Sequence, residues 1–234
     1  MRKVALVTGG AKRIGYHIAL HLAKLDYDIA IHYNNSYNEA KNGKKIIEES
    51  GKKCELFNLD FNENFNSNLI ENVVEKFGRL DLLINNSSIF LRENLLTSTD
   101  ESFDKIMNIN LKMPYILIRD FGLYCKNNEK EGSVINIVDS IIKKNNYNYF
   151  IYSLSRKSLR DLTVLSAKEL APFVRVNGIA LGFILGQENE NLEQYIDKIP
   201  MKQLGDIDDI TKSVSFILEN KYLTGEVIFL DGGL

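Results

Sequence analysis

Two places in this 234-residue chain carry residues whose types and spacing could do chemistry. The first is "YSLSRKSL" (152–159), where Tyr152 is followed at +4 by Arg156 and at +5 by Lys157. A phenol with an ordinary pKa of about 10 is protonated at neutral pH and can act as a proton donor. On a helix each residue advances about 100°, so +4 returns to the same face and +5 points away. The spacing makes Arg156 the partner of Tyr152 and Lys157 a bystander. A guanidinium keeps its charge and cannot relay a proton. A nearby cation is expected to make the phenol a better donor. Such a pair suits a reduction, which needs the phenol as an acid, better than an alcohol oxidation, which needs the phenolate. The competing reading is a polar helix face with no catalytic role.

The second place is "TGGAKRIG" (8–15). Gly9 and Gly10 permit a tight turn, and Gly15 allows a helix start to lie close to a sheet. The N–H groups at such a helix start, with its positive dipole end, suit a pyrophosphate. The spacing from Gly9 to Gly15 is wider than GxGxxG and points to a variant of the dinucleotide-binding turn. The end of the next apolar run then selects the cofactor. An acid there would bind a ribose 2′-OH and repel a 2′-phosphate. The residues present are His32, Tyr33, Asn34, Asn35 and Ser36, while Asp26 and Asp28 lie at the wrong end of the run. Lys12 and Arg13 add positive charge. This favours NADPH over NADH, with Asn34, Asn35 and Ser36 as donors to the 2′-phosphate.

These groups need a scaffold that brings residue 9 to residue 152. Short apolar runs at 3–8, 28–33, 54–60, 81–86, 133–139, 174–180 and 226–231 alternate with helical patterns. Ile14, Ile18, Leu22 and Leu25 mark one helix face. Ser36 can cap the helix that follows it. Further helical segments lie near 66–77, 100–125, 152–170 and 206–219. Strands alternating with helices mean βαβ units. The expected fold class is α/β, a Rossmann-type doubly wound parallel sheet of about seven strands with helices on both faces. No linker composition or repeat divides it, so residues 1–234 are expected to form one domain. Right-handed crossovers set all strand C-termini on one edge, where ligands of such sheets bind.

Composition narrows the function classes. The net charge is −2 and the paired lysines are diluted by acids or asparagines, so no basic field points to nucleic acid. Only Cys54 and Cys125 are present, far apart and without a His cluster, which disfavours a disulfide framework or a metal site. No run reaches the ~18 apolar residues of a membrane span. The opening "MRKVALVTGG" lacks the pattern of a signal peptide. A reducing, cytoplasmic setting is expected.

Taken in order, "TGGAKRIG", Asp60, "NNSS" (85–88), "NINL" (108–111), "YSLSR" (152–156) and "DGG" (231–233) resemble the short-chain dehydrogenase/reductase family over essentially the whole chain. Arg13, "HYNNS", "NNSSIF" and "VDS" look like its pteridine reductase branch, which includes dihydropteridine, dihydromonapterin and dihydrofolate reductases. The resemblance implies that Ile14, Asp60, Phe61, Asn86, Ser87, Ser88 and Gly182 line the cofactor together with the residues above, with Asp60 meeting the adenine. Ser88 would also lie near the substrate, and Phe90 would stack on a flat heterocycle. Arg13 would reach toward phosphate and substrate. Asn110 would hold a helix bulge and a water. The active-site position falls on Asp139 or, one residue on, Ser140. Two departures stand out. The family pattern is Tyr-x-x-x-Lys, and here Arg156 takes the lysine position. Leu181 stands where a proline usually precedes Gly182.

Three functions follow from this reading. One is an NADPH-dependent pterin reductase in which Tyr152 and Asp139 assist protonation. Another is a 3-oxoacyl-carrier or other carbonyl reductase in which Ser140 acts instead. The third is a non-catalytic NADP-binding homologue. The family resemblance implies a homotetramer built through the long helices.

Overall fold

The computed structural model describes residues 1–63, 68–185 and 191–234. It contains a seven-stranded parallel sheet in the order β3-β2-β1-β4-β5-β6-β7. The strands are β1 (Lys3–Val7), β2 (Tyr27–Tyr33), β3 (Cys54–Asn58), β4 (Leu82–Asn85), β5 (Gly132–Asp139), β6 (Val174–Leu181) and β7 (Val227–Leu230). The helices are α1 (Arg13–Lys24), α2 (Tyr37–Glu49), α3 (Leu69–Phe77), α4 (Asp100–Met107), α5 (Met113–Asn127), α6 (Phe150–Leu170) and α7 (Ile207–Glu219).

The central strands are apolar on both faces because helices cover both. In β1 and β2 the side chains alternate, so Ala5, Val7, Ile29 and Ile31 join Ile18, Leu22, Val214 and Ile217 in one core layer. Val4, Leu6 and Ala30 face the other layer, among Val73, Phe77, Leu117 and Phe121. Strand order reverses at β1, which pairs with β2 on one side and β4 on the other. That reversal opens a crevice beyond the strand C-termini.

Local structure differs from the sequence reading in several places. The segment 100–125 is not one helix: residues Asn108–Lys112 form a π turn between α4 and α5. Thr99 and Ser102 close a reciprocal cap at the start of α4. Ser36 occupies the first position before α2, but its side chain makes no capping bond. Leu25 lies just past the end of α1 and is 42% exposed, so the apolar face ends at Leu22 and Ala23. The helix expected near 66–77 begins at Leu69, and residues 66 and 67 lie outside the described residues. Leu181 does not disturb its turn. It continues β6 as a buried residue, in register with Asp139 on β5 and Leu230 on β7.

Candidate active site

The strand C-termini and the loops after them enclose a cavity of ≈ 1130 Å³. Gly9, Arg13, Ile14, Gly15, Tyr33, Asn34, Asn35, Ser36, Asp60, Phe61, Asn86, Ser87, Ser88, Phe90, Asp139, Tyr152, Arg156 and Gly182 all line it. The sequence reading thus reached one connected space, with one exception. Asn110 is fully buried and lies outside the lining. It sits in the π turn, where its Oδ1 accepts from the Ile89 amide at 2.9 Å. Its Nδ2 donates to the Ile89 carbonyl at 2.9 Å and to Ser155 Oγ at 3.2 Å. Its side chain braces the loop after β4 against α6, at the helix bulge that the family resemblance implies.

The turn after β1 is held at the switch point. Thr8 Oγ1 accepts from the amides of Asn86 and Ser87 at 2.9 and 3.1 Å. Asn86 Nδ2 donates back to the carbonyls of Thr8 and Gly9 at 2.9 and 3.1 Å. Gly9 has φ +60°, and a β-carbon on Gly15 would run into the Gly9 carbonyl and the Asn86 amide. Only glycine fits that close approach. Arg13 shares the left-handed region at φ +55° without being glycine, a conformation that costs energy and is tolerated where the surroundings hold it. One of its guanidinium nitrogens donates to the Leu185 carbonyl at 3.3 Å, joining the glycine turn to the loop after β6.

At the other end, α6 presents Tyr152, 5% exposed. Its hydroxyl donates to Asp139 Oδ2 at 2.7 Å, and Asp139 Oδ1 accepts from the Ile141 amide at 2.8 Å. Ser140 also lines the cavity, but the carboxylate of Asp139 is what meets the phenol. Arg156 lies 5.0 Å from the Tyr152 ring centre and is 4% exposed. Its Nη1 donates to the Ile137 carbonyl at 3.3 Å and its Nη2 to Ser88 Oγ. Lys157 turns away and donates to Asn145 Oδ1 at 2.6 Å. Of the two cations, the one beside the phenol is Arg156, as the helical spacing predicts.

The cation acts on the phenol in the expected direction, but it does not set the net shift. Burial, the largest cause, raises the Tyr152 pKa; Arg156 pulls it down, Asp139 pushes it up again, and the net shift is upward. The phenol is held protonated, and it releases its proton only to an acceptor that develops negative charge. Beside it, the Phe90 ring meets Tyr152 edge-on at 4.7 Å between centres and Tyr149 at 4.8 Å. Phe90 is 38% exposed, an apolar face open to the cavity.

The residues fit a nicotinamide dinucleotide. The glycine cradle excludes any side chain at residue 15, and Arg156 Nε is buried with no acceptor among the described residues. A buried guanidinium N–H without a partner is costly unless a ligand oxygen satisfies it, and a ribose hydroxyl can. Among the described residues, no group of three or more His, Cys, Asp or Glu is arranged to hold a metal ion. No helix among them is long and apolar enough to cross a membrane.

Sequence reasoning gave no structural role to three residues. Lys143 reaches from the loop after β5 to Asp231 Oδ2 at 2.6 Å, tying the Asp139 loop to the end of β7. Lys157 anchors the same loop through Asn145. His32 was read only as a strand-end residue, yet it is 3% exposed and binds the glycine turn. The available signal was a polar residue inside an otherwise apolar strand.

Comparison with known proteins agrees with this geometry. Residues 9–234 match the family described as Enoyl-(Acyl carrier protein) reductase. The 3-oxoacyl-[acyl-carrier-protein] reductase FabG of Staphylococcus epidermidis is 30% identical over 246 residues, covering 100% of this chain and 99% of its own. Carbonyl reductase family member 4 of Xenopus laevis is 31% identical over 237 residues, covering 100% of this chain and 98% of its own. Among solved structures, FolM alternative dihydrofolate reductase 1 of Brucella canis, complexed with NADP, superposes with a TM-score of 0.92. It is 32% identical and is matched over 99% of this chain and 93% of that one. A blue fluorescent protein from a metagenomic library, in complex with NADPH, gives a TM-score of 0.90 at 26% identity, over 99% of this chain and 97% of that one.

Proposed function

The chain belongs to the short-chain dehydrogenase/reductase family of oxidoreductases, and on that premise we propose that it is an NADPH-dependent reductase of a pterin, of dihydropteridine, dihydromonapterin or dihydrofolate type. The observation that carries this reading is the hydrogen bond from Tyr152 to the Asp139 carboxylate, set against the open ring of Phe90. A pterin is a flat ring with an amino edge. An aromatic face can stack on the ring, and a carboxylate can accept from the edge. The FolM structures, named as dihydrofolate reductases and bound to NADP, support it.

When bound, NADPH supplies a hydride to a ring carbon. The chain's own residues do the rest. Tyr152 gives its proton to the adjacent ring nitrogen, and Asp139 fixes the hydroxyl that gives it. Arg156 supplies a fixed positive charge beside the phenolate that forms, and its unpartnered Nε serves a ribose hydroxyl. Gly9, Ile14 and Gly15 make room for the pyrophosphate, with Arg13 at the turn. Asn34, Asn35 and Ser36, with Tyr33 beside them, take the 2′-phosphate. Asp60, Phe61, Asn86, Ser87, Ser88 and Gly182 complete the cofactor's walls.

A second reading is a 3-oxoacyl-carrier or other carbonyl reductase, with Ser140 as the donor to the carbonyl oxygen. The names of the curated relatives favour it, and Ser140 lines the cavity. NADPH consumption with dihydrobiopterin, dihydrofolate and a 3-oxoacyl thioester in parallel separates the two. Turnover of the thioester alone would sink the pterin reading. NADPH binding with turnover of none would indicate a non-catalytic homologue. The protein is further proposed to act in the cytoplasm as a homotetramer. In support, α5 leaves Tyr115 and Leu123 exposed and α6 leaves Leu154 and Leu165 exposed.

A further inference from the structure

His32 is a polar residue sealed inside the second strand of the sheet, 3% exposed. Both of its ring nitrogens are used, and their partners fix its chemical state. Nδ1 lies 3.2 Å from the Gly9 amide nitrogen, which can only donate. Nε2 lies 3.0 Å from the Leu59 carbonyl oxygen, which can only accept. The ring must therefore be neutral with its proton on Nε2. The Phe61 ring is stacked on it at 3.9 Å between centres and 3° between planes. The backbone carbonyl of His32 also accepts from the Gly10 amide at 3.0 Å.

One residue thus takes up the amides of both Gly9 and Gly10. The Gly9 and Gly10 amides therefore already have partners, in keeping with a pyrophosphate held at the N–H groups of the helix start. The imidazole also sets the distance from the glycine turn to Leu59, next to Asp60, so it spans the cleft from the β1 end to the β3 end.

We propose that His32 is a positioning residue for the cofactor: a neutral, two-ended spacer that fixes the glycine turn relative to the end of β3 and so sets dinucleotide affinity. Direct contact with the cofactor is not required. Burial holds the imidazole pKa down at about 4 against the opposing pull of the Leu59 carbonyl and of Asp60, which fits a ring that stays uncharged. The inference rests on the cofactor assignment above and is independent of which substrate is reduced.

The test is fluorescence titration of NADPH in the absence of substrate, with thermal midpoints recorded alongside, for His32→Leu and His32→Asn. Leucine fills the space but offers no acceptor to Gly9. Asparagine can offer its Oδ1 near the position of Nδ1. The expected result is a Kd raised at least ~10-fold by His32→Leu and less than ~3-fold by His32→Asn. In turnover the loss falls mainly on KM for NADPH rather than on kcat. A folded His32→Leu that binds NADPH as the native chain does would overturn the proposal, as would a folded His32→Asn as weak as leucine. A second measurement needs no variant: the ¹⁵N signals of His32 should report the neutral Nε2–H tautomer at pH 7 and at pH 5.5. An imidazolium or the other tautomer would equally overturn it. Failure of the native chain to bind NADPH at all would remove the cofactor assignment, and this inference with it.

Discussion

The hydroxyl of Tyr152 donates to Oδ2 of Asp139 at 2.7 Å, so a buried phenol and a carboxylate from different elements share one proton-bearing contact. Burial above all, with Asp139 adding to it against the pull of Arg156, gives a tyrosine whose acidity is suppressed, in a site where its proton is needed. Removing the hydroxyl alone tests its role. Tyr152→Phe should lower kcat by roughly 10²-fold or more, the usual scale of a lost general acid, while NADPH titration gives an unchanged Kd. Unchanged kcat would show that the proton comes from elsewhere.

Asp139→Ala discriminates between substrates. It removes the acceptor of both the Tyr152 hydroxyl and the Ile141 amide. Pterin reduction should fall below detection while reduction of a simple ketone persists. Equal loss on both substrates would indicate that the carboxylate serves only to shape the loop.

Arg156 is buried and its charge faces the phenol. Arg156→Met should cut kcat by about 10²-fold and leave Ser88 Oγ and the Ile137 carbonyl without their donor. Arg156→Lys restores a charge that can also relay a proton. It should recover part of the reduction rate and raise the ratio of NADP⁺-dependent oxidation to reduction. Forward and reverse rates measured on the same preparation give that ratio.

His32 predicts a pH dependence of stability. Its folded pKa of about 4 lies below the ordinary 6.5 because burial disfavours the cation. The unfolded chain therefore takes up the proton first. The stabilisation is complete above pH 6.5 and is lost as pH falls from 6.5 toward 4. At about 1.4 kcal/mol per pKa unit, it amounts to roughly 3 kcal/mol. His32→Asn should flatten the fall of the thermal midpoint between pH 7 and 4.5 by roughly 5–10 °C. Parallel slopes for the two proteins would contradict the buried neutral ring.

Leu154 and Leu165 are eleven positions apart on α6, about three turns, and so lie on one exposed face. Replacing both with glutamate should shift the light-scattering mass from a multiple of the 26.7 kDa chain toward the single chain. A native mass of one chain would instead remove the tetramer proposal.

Sequence alone was enough for the alternation of strands and helices, because burial on both sheet faces demands long apolar runs and amphipathic helices. It was also enough to choose Arg156 over Lys157, since helical geometry is local. The glycine turn and the absence of an acid after β2 were legible for the same reason. Other features depend on residues far apart in the chain. That the Tyr152 hydroxyl meets Asp139 rather than Ser140 needed the position of α6 against the end of β5. The upward shift of the Tyr152 pKa needed burial, which no local pattern reports. The bonds from Asn110 to Ile89 and Ser155 join segments far apart in the chain, and His32 gained its meaning from Gly9 and Leu59, just past the ends of the two neighbouring strands. Periodicity is written along the chain, whereas hydrogen-bond partners and desolvation arise only when distant segments pack, and that is why the fold could be read from the sequence and the electrostatics of its site could not.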